Sequence, residues 1–127
     1  IPAAIDGVVT KDNAHLLNAK IIAEGANGPL TREAIDIITD TGTFIVPDIL
    51  CNAGGVIVSY FEWVQGLQHF FWGLDEINKQ LHDILEYAFE QVCSYQKMYN
   101  VDMKKAAVMS ALKRLVTAMR LRGFFPG

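Results

Sequence analysis

Apolar and polar positions follow two rhythms along this chain. Up to residue 52, short apolar runs are broken by turn residues; beyond it, apolar positions recur every three or four residues. Lys20–Ala23 and Thr43–Val46 are short, largely apolar runs of the kind that form buried parallel strands, and each leads into a turn containing Gly, Asn or Pro. Between them the pattern predicts a helix over Arg32–Asp40. Thr31 supplies the N-cap, Glu33 lies where the helix dipole favours an acid, and Ala34, Ile35, Ile37 and Ile38 form an apolar face. Gly42 ends it. In the same way Thr10 predicts a short capped helix over Lys11–Asn18, with Asp12 in its first turn. Pro47 stops the second strand, and a helix is expected over Ala53–His69. Strand, helix and strand in this order predict an α/β fold with two or three short parallel strands.

The rest of the chain predicts two long amphipathic helices. Ile77, Leu81, Ile84, Leu85, Ala88, Phe89, Val92 and Tyr95 form one stripe, within a helix over Glu76–Lys97 capped by Asp75. Val108, Leu112, Leu115, Val116 and Met119 form another, within a helix over Met103–Arg120 capped by Asp102. The short link Tyr99-Asn100-Val101 makes the two helices antiparallel neighbours. The chain therefore divides into a sheet-bearing part, residues 1–52, and a helical part, residues 53–127.

Composition narrows the class. At 127 residues, 51% hydrophobic and 20% charged, the chain reads as one small globular unit rather than a disordered one. A net charge of −3 gives no reason to expect nucleic acid or an anionic membrane as partner. The basic end, from Lys104 to Arg122, lacks interleaved aromatics and reads as a solvated helix face. No apolar run reaches the ~20 residues of a membrane span. Cys51 and Cys93 have no metal-ligand spacing, nor do His15, His69 and His82, so no metal site is expected; reduced thiols suit a cytoplasmic protein.

The candidate chemistry lies in the turns. Asn52, Val56, Ser59 and Trp63 follow an i, i+4, i+7, i+11 spacing and share one helix face. Asn52 is placed at the start of that helix, beside unpaired N–H groups and the positive dipole end. Gly54 and Gly55 let a ligand approach the backbone, or serve only close helix–strand packing. Asn27, before Gly28-Pro29, is a turn residue or a ligand contact. Glu24 reads as a polar strand end and Asp48 as a turn cap. Trp63, Phe70, Phe71 and Trp72 read as core or interdomain packing.

The segments Ile1-Pro2-Ala3-Ala4, Ala23-Glu24-Gly25-Ala26-Asn27-Gly28-Pro29, Pro47-Asp48-Ile49-Leu50, Asn52-Ala53-Gly54-Gly55-Val56 and Ser59-Tyr60-Phe61-Glu62-Trp63, in this order, resemble the glutamate dehydrogenases within the wider glutamate/leucine/phenylalanine/valine dehydrogenases. The resemblance covers essentially this whole chain but only the last part of the family's chain. It implies the C-terminal half of a Rossmann-like doubly wound sheet followed by helices, and NAD or NADP as cofactor. It also implies that Ala3, Ala4, Asn27 and Asn52 border the cofactor, and that Val56 and Ser59 line the pocket for the substrate side chain. Ser59 would donate a hydrogen bond to the distal carboxylate, which favours glutamate, 2-oxoglutarate and ammonia as reactants; where relatives use branched aliphatic amino acids, an apolar residue holds that place. The family's catalytic Lys and Asp and its G-x-G-x-x-G turn belong upstream. No catalytic residue is therefore assigned here, and the chain is expected to be inactive alone and to begin mid-domain. Arg122–Gly127 resembles the family's C-terminus, and the parent is expected to be a homo-oligomer, by resemblance a hexamer. Two other readings stand beside this one: a non-catalytic nucleotide-binding or regulatory module, and a helical interaction module built on the two C-terminal stripes.

Overall fold

The computed structural model describes residues 1–123; residues 124–127, most of the family-like C-terminal stretch, lie outside them. Two strands, β1 (Ile21–Ala23) and β2 (Phe44–Val46), are joined by α1 (Arg32–Asp40). They are followed by α2 (Asp48–Cys51), α3 (Gly54–Gln68), α4 (Leu74–Tyr99) and α5 (Met103–Arg122), and preceded by a 3-10 turn at Ala14–Leu16. The strands pair in parallel, with Ile21 opposite Phe44, Ile22 opposite Ile45 and Ala23 opposite Val46. A single parallel bridge, Val9 to Leu30, lies outside them.

The two-residue period of the strands sends side chains into two cores. Ile22 and Ile45 pack with Ala34, Ile35 and Ile38 of α1, and with Val9, Ala14 and Leu30. Phe44 and Val46 pack on the opposite side against Leu50 of α2, Val92 of α4, and Met103, Ala106 and Ala107 of α5. Helices thus cover both faces of the short sheet, which is the α/β layering the strand–helix–strand order predicts. Local signals set several element ends. The Thr31 hydroxyl accepts the Ala34 N–H at 3.3 Å, and Gly42 takes a φ of +80° where the chain leaves α1. An Asp102 carboxylate oxygen accepts the Lys105 N–H at 2.8 Å at the start of α5.

Other expectations are corrected. The helix over Lys11–Asn18 shrinks to the 3-10 turn Ala14–Leu16. Its polar residues satisfy the backbone in turns instead: the Asn13 side chain accepts the Thr10 N–H at 2.7 Å and the Thr10 hydroxyl accepts that of Asp12 at 3.3 Å. The Ile1–Ala4 segment lies outside any strand and is held instead by the Pro2 carbonyl, which accepts the N–H groups of both Gly25 and Ala26, each at 2.9 Å. Gly73, not Asp75, is the N-cap of α4, and Asp75 lies in its first turn, where the dipole favours it. Pro47 does more than stop β2. It caps α2, its carbonyl accepting the Leu50 and Cys51 N–H groups at 3.0 and 2.8 Å. Asn52 is consequently the C-cap of α2 and precedes α3 by two residues rather than opening it.

The aromatic cluster also divides. Trp72 packs edge-on against Phe61 with ring centroids 5.6 Å apart. Buried Gln65 fixes that corner, accepting the Trp72 N–H at 2.6 Å while donating to the Phe61 carbonyl at 3.1 Å. Trp63, Phe70 and Phe71 stay largely exposed.

Exposed apolar groups are numerous: Val56, Tyr60 and Leu67 on α3, and Leu112, Leu115 and Leu121 on α5, are all more than half exposed. The accessible surface of 9163 Å² exceeds the ~6,700 Å² expected of a folded monomer of this mass. The difference is several times the ~800 Å² that one partner buries in a standard interface. The chain on its own is therefore expected to self-associate at micromolar concentration. Size-exclusion chromatography with light scattering checks this, and a stable monomer with a cooperative melt above ~60 °C overturns it.

Candidate functional site

The carboxyl ends of β1 and β2 lie side by side, so the turns that follow them converge. This is where open parallel sheets place their ligands. The turn after β1 runs Glu24-Gly25-Ala26-Asn27-Gly28, and the one after β2 passes through Pro47 into α2. Gly25 lets the N-terminal segment come close: a Cβ there would lie 3.1 Å from the Ala3 Cβ and 3.3 Å from Ile1. An amide pair joins the two turns, Asn52 Nδ2 donating to Asn27 Oδ1 at 2.8 Å.

Two open hollows flank this pair. One is lined by Ala3, Ala4, Gly25 and Ala26 together with both asparagines. The other is lined by the same two asparagines with Asp48, Val56, Lys104 and Val108. The structure therefore brings Ala3, Ala4, Asn27, Asn52 and Val56 around one place, with the amide pair as the partition. Ser59 lines neither hollow and is exposed further along α3, on the face that Val56 begins.

Beneath the asparagines lies a charged cluster. Glu24 is fully buried. Its Oε2 accepts the Asp48 N–H at 2.9 Å, and its Oε1 is buried with no hydrogen-bond partner among the described residues. Asp48 Oδ2 accepts the Gly28 N–H at 2.7 Å and Oδ1 that of Ile49 at 2.8 Å. The Lys104 Nζ of α5 lies 3.6 Å from Glu24 Oε2 and 3.4 Å from Asp48 Oδ1. Burial works against the Asp48 charge, but the N–H groups of Gly28 and Ile49, then Lys104, outweigh it and hold the carboxyl below its usual range.

Glu24, Asp48 and Lys104 were not recognisable as a unit from the sequence. A Glu closing an apolar strand was the one available signal; nothing local marks Lys104, whose run with Lys105 reads as solvated. Among the described residues no group of three His, Cys, Asp or Glu side chains could hold a metal, and no helix is long and apolar enough to cross a membrane.

The family model of the glutamate/leucine/phenylalanine/valine dehydrogenases matches residues 1–123. The chain belongs to this dehydrogenase family. It is 48% identical over 126 residues to a glutamate dehydrogenase of Thermotoga maritima, covering 99% of this chain and 30% of that protein. It is 46% identical over 124 residues to an NAD-specific glutamate dehydrogenase of Staphylococcus aureus, covering 98% and 30% respectively. Its fold matches the hetero-hexameric glutamate dehydrogenase of Thermus thermophilus, solved with leucine bound, with a TM-score of 0.92 at 35% identity, over 98% of this chain and 30% of that one. The chain thus spans about three-tenths of the length of these relatives. For a dehydrogenase of this family, the hollow beside Ala3 and Ala4 has features that fit a nicotinamide. Small residues leave room for a flat ring, and two side-chain amides offer donors and acceptors to its carboxamide. The fit concerns that end of a dinucleotide only, because no G-x-G-x-x-G turn is present in the sequence.

Proposed function

We propose that this chain is the C-terminal, cofactor-binding part of an NAD(P)-dependent glutamate dehydrogenase, comprising the second half of a Rossmann-like sheet (residues 1–52) and the helical segment that follows (residues 53–127). The observation that carries the reading is the Asn27–Asn52 pair at the strand ends, flanked by small residues on one side and Val56 on the other. The parent enzyme converts L-glutamate, water and NAD(P)⁺ to 2-oxoglutarate, ammonium, NAD(P)H and a proton. When bound, the nicotinamide accepts the hydride. The residues of this chain bind and orient. Ala3 and Ala4 border the ring, Asn27 and Asn52 hold its carboxamide end, Val56 packs on the substrate carbon chain, and Ser59 donates to the distal carboxylate. The glutamate dehydrogenases among the relatives, one of them NAD-specific and another a hetero-hexamer, support a glutamate substrate, a dinucleotide cofactor and an oligomeric parent.

The test compares this chain with the full-length polypeptide that carries it, following NAD(P)H formation from L-glutamate and from L-leucine, L-valine and L-phenylalanine. The full-length protein is expected to prefer glutamate and to turn over at an ordinary ~1–10³ per second, while this chain alone shows no turnover. Dinucleotide binding by a full-length protein that oxidises none of these amino acids would instead favour a regulatory module.

A further inference from the structure

The ammonium of Lys104 reaches the site from α5, on the side of the sheet opposite α1. It is the one described cation facing two acids that belong to the two strand-end turns. Glu24 closes β1, and Asp48 opens α2 directly after β2. Each acid is also bound into the backbone of the other turn: Glu24 accepts the Asp48 N–H, and Asp48 accepts the Gly28 N–H. Asn27 immediately precedes Gly28, and Asn52 caps the helix that Asp48 begins. Any change in spacing between Glu24 and Asp48 is therefore passed to the Asn27–Asn52 pair through the few backbone residues between them.

Without Lys104, two acids would remain close together, one fully buried and the other with its side chain only 16% exposed. Like charges in such a place repel strongly because water cannot screen them. The start of α5 is itself anchored, since Arg32 of α1 lies 3.0 Å from the Asp102 cap. Lys104 thus works from a fixed point. Two acids facing one ammonium leave no surplus positive charge to recruit a substrate carboxylate, which argues for a role in geometry rather than in substrate contact.

We infer that Lys104 is a positioning residue: it holds the two strand-end turns at the spacing that sets the Asn27–Asn52 pair for the dinucleotide. This rests on the reading of that pair given above. The test uses Lys104→Met and Lys104→Arg in the full-length polypeptide, with amide hydrogen exchange and fluorescence titration of NAD(P)H. In the Met variant the Kd for NAD(P)H is expected to rise about tenfold, a larger change than that in the KM for glutamate. The Arg variant, which keeps the cation, restores most of the affinity. Exchange at Gly28 and Asp48 speeds up in the Met variant while Val92, in the core of α4, keeps its protection.

An unchanged Kd in the Met variant overturns the inference. So does loss of protection at Val92 together with Gly28, which would mark general destabilisation. If the wild-type protein neither binds a dinucleotide nor oxidises glutamate, the functional reading fails, and the exchange data decide alone. Faster exchange confined to Gly28 and Asp48 then supports the tie through Lys104, and unchanged exchange refutes it.

Discussion

Replacing Ser59 by valine in the full-length polypeptide is expected to lower kcat/KM for L-glutamate roughly 10–150-fold, with little change in NAD(P)H affinity. Ser59 is exposed on α3, on the face that begins with Val56 at the edge of the second hollow. A hydroxyl there can donate to an ionised carboxylate, and such a bond contributes about 1.5–3 kcal/mol. Valine, one methyl group larger than serine and apolar, cannot donate, so the distal carboxylate of glutamate would be desolvated without a partner. The helix itself should tolerate the change, since valine and serine differ by only a few tenths of a kcal/mol in helix propensity. Steady-state kinetics with glutamate and with leucine is the measurement. The valine variant should shift preference toward leucine, and Ser59→Thr, which keeps the hydroxyl, should retain most glutamate activity. Glutamate kinetics that do not move would remove Ser59 from the substrate pocket. An equal loss of cofactor affinity would point instead to a displaced α3.

What the sequence revealed depended on the range of the interactions responsible. Helix α1 was legible at both ends because its signals are local: the Thr31 cap, the acid at Glu33 and the left-handed Gly42 all act within a turn of the residues they organise. The α4 stripe was legible because a long helix repeats its period many times. Helix α5 was legible as a helix, but its expected stripe was not its buried face: Met103, Ala106 and Ala107 near its start enter the core, while Val108, Leu112, Leu115, Val116 and Met119 stay exposed. Helix α2 was not legible, since four residues contain no period to read. The Lys11–Asn18 expectation failed where Thr10 and Asn13 bound nearby backbone instead of extending a helix. At the site, Asn27 and Asn52 stood out as motif residues, but their mutual hydrogen bond is set by the parallel pairing of β1 with β2. Glu24, Asp48 and Lys104 come together only when α5 packs on the face of Phe44 and Val46. No pattern within any one segment encodes that meeting. The exposed aromatics mark a related limit: Trp63, Phe70 and Phe71 look like core residues, yet nothing within residues 1–123 covers them.

Substituting Asp48 by alanine is expected to loosen both strand-end turns, lowering the protection of the Gly28 amide against exchange by about 30–150-fold. One carboxylate accepts the Gly28 N–H at 2.7 Å and the Ile49 N–H at 2.8 Å, and faces Lys104 at 3.4 Å. Alanine removes all three interactions and leaves Gly28 without its acceptor. Losing a hydrogen bond to a charged group costs about 2–3 kcal/mol where the donor stays partly buried, which is the source of the expected range. Asp48→Asn keeps an acceptor oxygen but loses the charge, so its effect should be smaller. Acid should reproduce the loss in the wild type. The Asp48 carboxyl is held below its usual range in the folded protein, so the unfolded chain takes up the proton more readily. The stabilisation is therefore complete above the ordinary carboxyl value of about 4 and disappears as the pH falls from there through the lower folded value. Exchange corrected for intrinsic rates, recorded between about pH 5 and pH 3, should show Gly28 losing protection in the wild type and not in Asp48→Ala. Asp102, where burial is likewise outweighed by the Lys105 N–H and by Arg32, should add a separate acid loss at the start of α5 in both proteins. If Gly28 in the alanine variant is as well protected as in the wild type, or loses protection with acid in parallel with it, Asp48 does not join the two turns.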